Sequence, residues 1–175
     1  MVSNVSPCRV DQAAVGLQPY ARAVEYRQAV AAELPVLAEL TWQFADEFGR
    51  AAQPCAEFLW PFLEWAHSVE ATHTPFVAVD PDRGLVGTAW LALVARTPRP
   101  GPTFRFDGDL QTVYVVPDLR GQGVGAQLVR LVLQRAWQQG LGSVTVSSST
   151  RAVSLYQRAG FTGEPPYLRA FPPGD

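Results

Sequence analysis

The stretch VVPDLRGQGVGAQLV, residues 115–129, sets a strand end, a glycine-rich loop and a helix start side by side. The apolar run Val113–Val116 meets Pro117, which cannot donate to a sheet ladder, and the strand must stop there. Glycine costs a chain conformational entropy, so Gly121, Gly123 and Gly125 in one short loop need a reason. A plain tight turn against a helix would need one of them. Several together let successive backbone amides turn toward one point, and the positive end of the following helix then favours an anion there. Two owners of such loops are excluded. The chain contains no lysine, so the GxxxxGK[ST] phosphate loop is impossible. The dinucleotide motif GxGxxG has different spacing and needs a downstream acid, and no acid lies between Leu119 and Gly163.

Charge supports the same reading. The net charge is only −2, but it is unevenly spread. Five arginines (Arg120, Arg130, Arg135, Arg151, Arg158) occupy the acid-free span. From Ala31 to Asp82 nine acidic residues face a single arginine, Arg50. This asymmetry favours an anionic ligand near the C-terminal half and a cationic one near the N-terminal half. With no repeating basic face, nucleic acid is not an expected partner. The longest apolar run, Leu85–Ala95, is too short for a membrane span, and no signal peptide is recognisable. Cys8 and Cys55 are expected as free thiols, His67 and His73 form no metal pattern, and the expected location is cytoplasmic.

Periodicity predicts the order β-α-α-β-β-β-α-β-α-β over residues 23–175, after a loose extension at residues 1–22. VEYRQAV is a strand, and Leu34, Leu37, Leu40, Phe44 and Phe48 form a helical stripe. In the next helix Pro61 predicts a kink or a break. TPFVAVD and LVGTAWLALVA read as a hairpin, DLQTVYVV as the strand before the loop, and SVTVS as the strand after the long helix. Three consecutive strands argue for antiparallel pairing, and the strand–loop–helix–strand unit for a local parallel pair. The expected fold is α/β (α+β): one domain with a single mixed, mostly antiparallel sheet of six to seven strands, flanked by about four helices.

The loop then resembles something specific. Arg120, Gly123 and Gly125 match the [RQ]-x-x-G-x-[GA] acyl-CoA signature of the GCN5-related N-acetyltransferase (GNAT) superfamily. Downstream, STRAVSLYQRAGF is similar to that superfamily's N-x-x-A-x-x-L-Y-x-x-x-G-F segment at Ala152, Leu155, Tyr156, Gly160 and Phe161. The resemblance implies an enzyme that transfers an acetyl group from acetyl-CoA to a primary amine by direct attack. It implies that backbone amides of Gly121, Gln122, Gly123, Val124, Gly125 and Ala126 hold the pyrophosphate, beside Arg120. It also implies that the pantetheine arm pairs with Val113, Tyr114 and Val115, and that the Val115 amide faces the oxyanion. Tyr156 would be the general acid and would also touch the cofactor, with Ser149 near a pantetheine amide.

Three positions depart from the pattern. Gln111 stands where a fourth-strand carboxylate is common, the fifth strand has no glutamate, and Ser149 replaces asparagine. The base is therefore open among Glu47, Glu57, Glu64, Glu70, His67, Asp107 and Asp109, directly or through water. The first two helices carry aromatic rings amid acids, which suits a small cationic amine with an apolar portion; Trp42, Glu47, Trp60 and Glu64 are the candidate acceptor contacts. Expected partners are thus a CoA thioester and a small amine, with no metal, no membrane and a homodimer as the candidate assembly. Rival readings are a non-catalytic acyl-CoA-binding module and a peptide or protein N-acetyltransferase.

Overall fold

The computed structural model describes residues 24–101 and 105–172; the expected extension at 1–22 and Cys8 lie outside them. Six strands form one sheet in sequential order: β1 (Glu25–Gln28), β2 (His73–Asp80), β3 (Gly84–Ala95), β4 (Phe106–Val115), β5 (Val144–Ser147) and β6 (Tyr167–Ala170). All neighbours are antiparallel except β4 and β5, which run parallel. The helices are α1 (Leu34–Glu47), α2 (Cys55–Ser68), α3 (Val124–Gln138) and α4 (Val153–Arg158). The expected element order is therefore observed, and Thr162 adds one isolated bridge to Arg169. No described helix is long and apolar enough to cross a membrane.

Two apolar clusters cover the sheet. One joins Leu128, Val129, Val132 and Ala136 of α3 to Leu91, Leu110, Val144 and Val146. The other joins Leu37 and Ala38 of α1, Phe62 and Ala66 of α2, Val77 and Trp90. Gly87 lets α3 come close: a Cβ there would lie 3.1 Å from Leu128 Cδ1 and 3.0 Å from the Tyr114 carbonyl oxygen.

Of the kink or break expected at Pro61, the break is absent, since α2 runs through it; burial of Phe62 and Ala66 against the second cluster outweighs the lost backbone bond. One expectation is corrected. Cys55 is disulfide-bonded rather than free.

Two irregularities position the site. Along β3, Thr88 faces Tyr114 but Trp90 faces Gln111, so Thr112 and Val113 stand opposite the single residue Ala89. This is a β-bulge, and Thr112 holds φ at 47°, costly for a β-branched residue. On the other side, β5 pairs with β4 only at Gly108, Asp109 and Leu110. Beyond Leu110 the two strands part.

Leu128 is fully buried and holds α3, and hence the loop before it, against the sheet. Leu128→Ala is expected to destabilise the protein by about 3 kcal/mol in urea unfolding.

Candidate active site

A cleft of about 790 Å³ opens at the parting of β4 and β5 and is lined by Val113–Val115, the glycine loop and the start of α3. The loop's geometry follows from its sequence. Gly121 and Gly123 take φ of +75° and +88°, a region other residues enter at a cost. Gln127 N–H donates to Gly123 O at 3.0 Å, so the amides of the turn before it have no helical carbonyl to bond. Gly125 is different: a Cβ there would meet Val115 Cγ2 at 3.6 Å, an ordinary contact. The fold does not require Gly125 to lack a side chain.

Three side-chain ties hold this cradle. Arg83 from the β2–β3 turn pairs with Asp118 at 2.6 Å. Gln122 Nε2 donates to Asp118 O at 3.0 Å. Arg120 does most: Nε donates to Val115 O at 2.8 Å, and its two terminal nitrogens donate to both Glu47 oxygens at 2.7 and 2.6 Å. Its guanidinium also lies 5.3 Å from the centre of the Tyr114 ring. Tyr114 in turn packs edge-on against Phe44 and donates its hydroxyl to Gln43 Oε1 at 3.4 Å. Burial raises the Tyr114 phenol above its ordinary value. The end of α1 is thus fastened to the loop through the signature arginine.

The same contacts set the electrostatics. Hydrogen bonds from Arg120 hold the Glu47 carboxyl below its ordinary range, and Arg151 approaches Glu47 at 3.7 Å. Arg130 and Arg158 also line the cleft, and no ion pair among the described residues engages them. Four arginines against one carboxylate leave the cleft positive.

Val116 N–H donates to Val86 O at 3.0 Å. Alternation along an extended chain turns the N–H and C=O of Val115 the other way, into the gap left by β5. Arg120 occupies the carbonyl; the amide faces the gap.

The structure groups the expected cofactor residues Val113, Tyr114, Val115, Arg120, Gly121, Gln122, Gly123, Gly125, Ala126 and Ser149 around this cleft. Val124 points into the core instead, so only its backbone is available. Ser149 heads the turn before α4 without a capping hydrogen bond from its side chain. Tyr156 is 5% exposed, packs edge-on against Phe161, and is not among the cleft-lining residues; burial pushes its phenol up to about 12.

The four candidate acceptor contacts are not brought together. Glu47 is bound to Arg120, Trp42 Nε1 donates to Gln53 O at 2.8 Å, and Trp60 and Glu64 are exposed on α2. Among the candidate bases, Glu57, Glu64, His67 and Glu70 are exposed and Asp107 pairs with Arg96. Asp109 lies where β4 and β5 are about to part, accepting from Gln111 Nε2 at 2.8 Å and Thr145 Oγ1 at 3.3 Å.

A second cavity, about 270 Å³, lies under α1 and α2 and has Gln111 and Thr112 in its wall. Thr112 lines this cavity, and its neighbour along β4, Val113, lines the first cleft. Sequence reasoning missed Thr112 as a functional position because nothing local marks a bulge at threonine. The spacing of Phe58, Phe62 and Trp65, at i, i+4 and i+7, is the signal that would have found the rest of that wall.

The end of the β4–β5 ladder and the glycine-loop cradle lie at one positive cleft. Residues 37–161 match the model of the Acetyltransferase (GNAT) family, and the chain belongs to that family. Phosphinothricin N-acetyltransferase of Alcaligenes faecalis is 32% identical over 91 residues, covering 50% of this chain and 44% of that protein. The chain therefore spans less than half the length of this curated relative. The fold is shared with a Clostridium acetobutylicum acetyltransferase crystallised with acetyl-CoA: TM-score 0.67, 15% identity, covering 81% of this chain and 91% of that one. A GCN5-related N-acetyltransferase from Ralstonia eutropha gives TM-score 0.67 at 19% identity, covering 81% and 94%.

The Glu47–Arg120 pair is partly solvated, with side chains 27% and 34% exposed, so Glu47→Gln is expected to cost about 1 kcal/mol at neutral pH. Because the folded carboxyl titrates below its ordinary 4.5, this stabilisation is complete above that pH. It is lost as pH falls through the lowered folded value. Urea unfolding should therefore give converging stabilities for the two proteins in acid.

Proposed function

We propose that the protein is an acetyl-CoA-dependent N-acyltransferase that passes an acetyl group directly from the thioester to a primary amine. One observation carries the reading: the gap between β4 and β5 leads into a positive cleft floored by unbonded loop amides. A CoA thioester needs both parts, a phosphate cradle for its pyrophosphate and a free strand edge for the amides of its arm. In this reading the amides of residues 121–126 take the pyrophosphate, with Arg130 and Arg158 available to its other charges.

The Val115 amide donates to the thioester carbonyl as it becomes an oxyanion. Holding both reactants in line supplies much of the rate, and no covalent enzyme intermediate is required. An alkyl amine with a pKa near 10.4 is only about 0.04% neutral at pH 7. Asp109, at the parting of the strands, is the carboxylate best placed to take its proton through solvent. Tyr156 donates to the departing sulfur. Transfer from a phenol near 12 to a thiolate of pKa about 8.5 runs uphill. The phenol therefore stabilises the thiolate by hydrogen bonding, and solvent completes the protonation.

Burial of Tyr156 away from the cleft lining favours the rival, a non-catalytic acyl-CoA-binding module. Release of free thiol from acetyl-CoA with a panel of primary amines decides between them. Amine-dependent turnover supports the transferase; tight CoA binding without turnover on any amine leaves the module.

Two substitutions sharpen the mechanism. Tyr156→Phe is expected to lower kcat about 100-fold with the KM for acetyl-CoA within about twofold, and steady-state kinetics check it. With the phenol at about 12, deprotonation of Tyr156 should give kcat no descending limb below about pH 10. Gly125→Ala should leave stability unchanged or improved by about 0.5 kcal/mol, while raising the KM for acetyl-CoA. Gly123→Ala, at φ +88°, should instead lose about 1–2 kcal/mol in thermal unfolding.

A further inference from the structure

The cavity under α1 and α2 is walled by aromatic rings, and their arrangement restricts its occupant. Phe62 meets Phe58 and Trp65 at centroid distances of 5.6 Å and Trp90 at 6.0 Å; Trp65 and Trp90 are 5.1 Å apart. Phe62 and Trp90 are almost wholly buried, whereas Trp65 is 38% exposed. The rings pack on one another and form a wall. No carboxylate lines the cavity, and Glu47, the acid on the neighbouring helix end, is already bound to Arg120.

The polar groups are few and neutral. Thr41 Oγ1 is buried without a hydrogen-bond partner, although a helical threonine usually finds the carbonyl one turn back. Gln111 donates to Asp109, and its amide oxygen has no hydrogen-bond partner among the described residues. Such a site takes an apolar group bearing at most a neutral donor or acceptor. A cavity of about 150 Å³ already accepts benzene, so about 270 Å³ holds one aromatic ring with a short alkyl arm. The arm's amine then lies toward Gln111 and Thr112, next along β4 to Val113 of the larger cleft.

We propose that this cavity binds the ring of the acceptor, making the substrate a primary amine that carries one aromatic ring on a short alkyl arm. Calling the bound molecule an acceptor rests on the transferase reading above. None of the four expected acceptor contacts, Trp42, Glu47, Trp60 and Glu64, lines this cavity.

Binding is measured independently of turnover, by calorimetry on the full chain with phenethylamine, spermidine and glucosamine. Phenethylamine should bind at least tenfold more tightly than either of the others. Trp65→Ala should weaken it at least tenfold while leaving the KM for acetyl-CoA within twofold. Equal or tighter binding of spermidine or glucosamine overturns the proposal, as does phenethylamine binding that is indifferent to Trp65. If Trp65→Ala does not fold, the ligand preference of the unaltered protein decides alone. Selective phenethylamine binding without acetyl transfer to any amine removes the transferase reading and leaves the pocket's specificity standing. Acetyl transfer to spermidine with no preference for the aromatic amine does the reverse.

Discussion

The structure turns on β4 losing its parallel partner. The ladder to β5 ends at Leu110 and Val146, yet β4 continues to Val115 with Tyr114 and Val115 buried. A buried strand edge without a partner leaves donors and acceptors unsatisfied, at about 1–3 kcal/mol for each group. The protein answers part of this internally, since Arg120 Nε takes the Val115 carbonyl. The amide of the same residue is left facing the gap. An extended ligand with its own amides is the natural complement to such an edge, much as a further strand would be. The bulge at Thr112 belongs to the same device, because an extra residue bends a strand and re-aims the groups beyond it.

Arg120 explains how the cradle stays open before a ligand arrives. Three of its donor nitrogens are committed, one to Val115 and two to Glu47. An arginine held this way is a brace between α1, β4 and the loop more than a free phosphate ligand. Backbone amides, the helix end, and Arg130 and Arg158, which no ion pair among the described residues engages, are left to face the cleft. Preorganising these groups removes an ordering cost from binding. It also couples the acceptor side to the donor side mechanically, since α1 contributes both Glu47 and Thr41.

What could be read from the sequence divides along local and long-range lines. The glycine loop, the helix after it and the order of all ten elements were legible, because each depends on neighbours in the chain. The positive φ of Gly121 and Gly123 is encoded by the residues that hold it. Thr112 carries no such mark; its bulge exists only because β3 and β4 pair out of step around Ala89. Around α1 and α2 the placement of side chains was not legible for a related reason. Trp60 and Trp65 look equivalent in composition, but one turns to solvent and the other reaches Trp90. Glu47 is held by Arg120, far along the chain, which nothing in its own neighbourhood marks. Pro61 suggested a break, and tertiary burial kept the helix whole.

The two cavities divide the chemistry by charge. The donor cleft concentrates arginines and suits a polyanion, whereas the smaller cavity offers rings, a threonine hydroxyl and an amide. In the proposed reading, an amine bound beside the smaller cavity leaves water without gaining a directly paired carboxylate from it. Desolvation disfavours its ammonium form and lowers its pKa, which enlarges the neutral fraction able to attack. A carboxylate pressed against the nitrogen would hold the proton on and slow that step. Asp109 lines neither cavity and is engaged by Gln111 and Thr145. In the proposed reading, an uncharged acceptor pocket is an advantage for a nucleophile that must arrive without its proton.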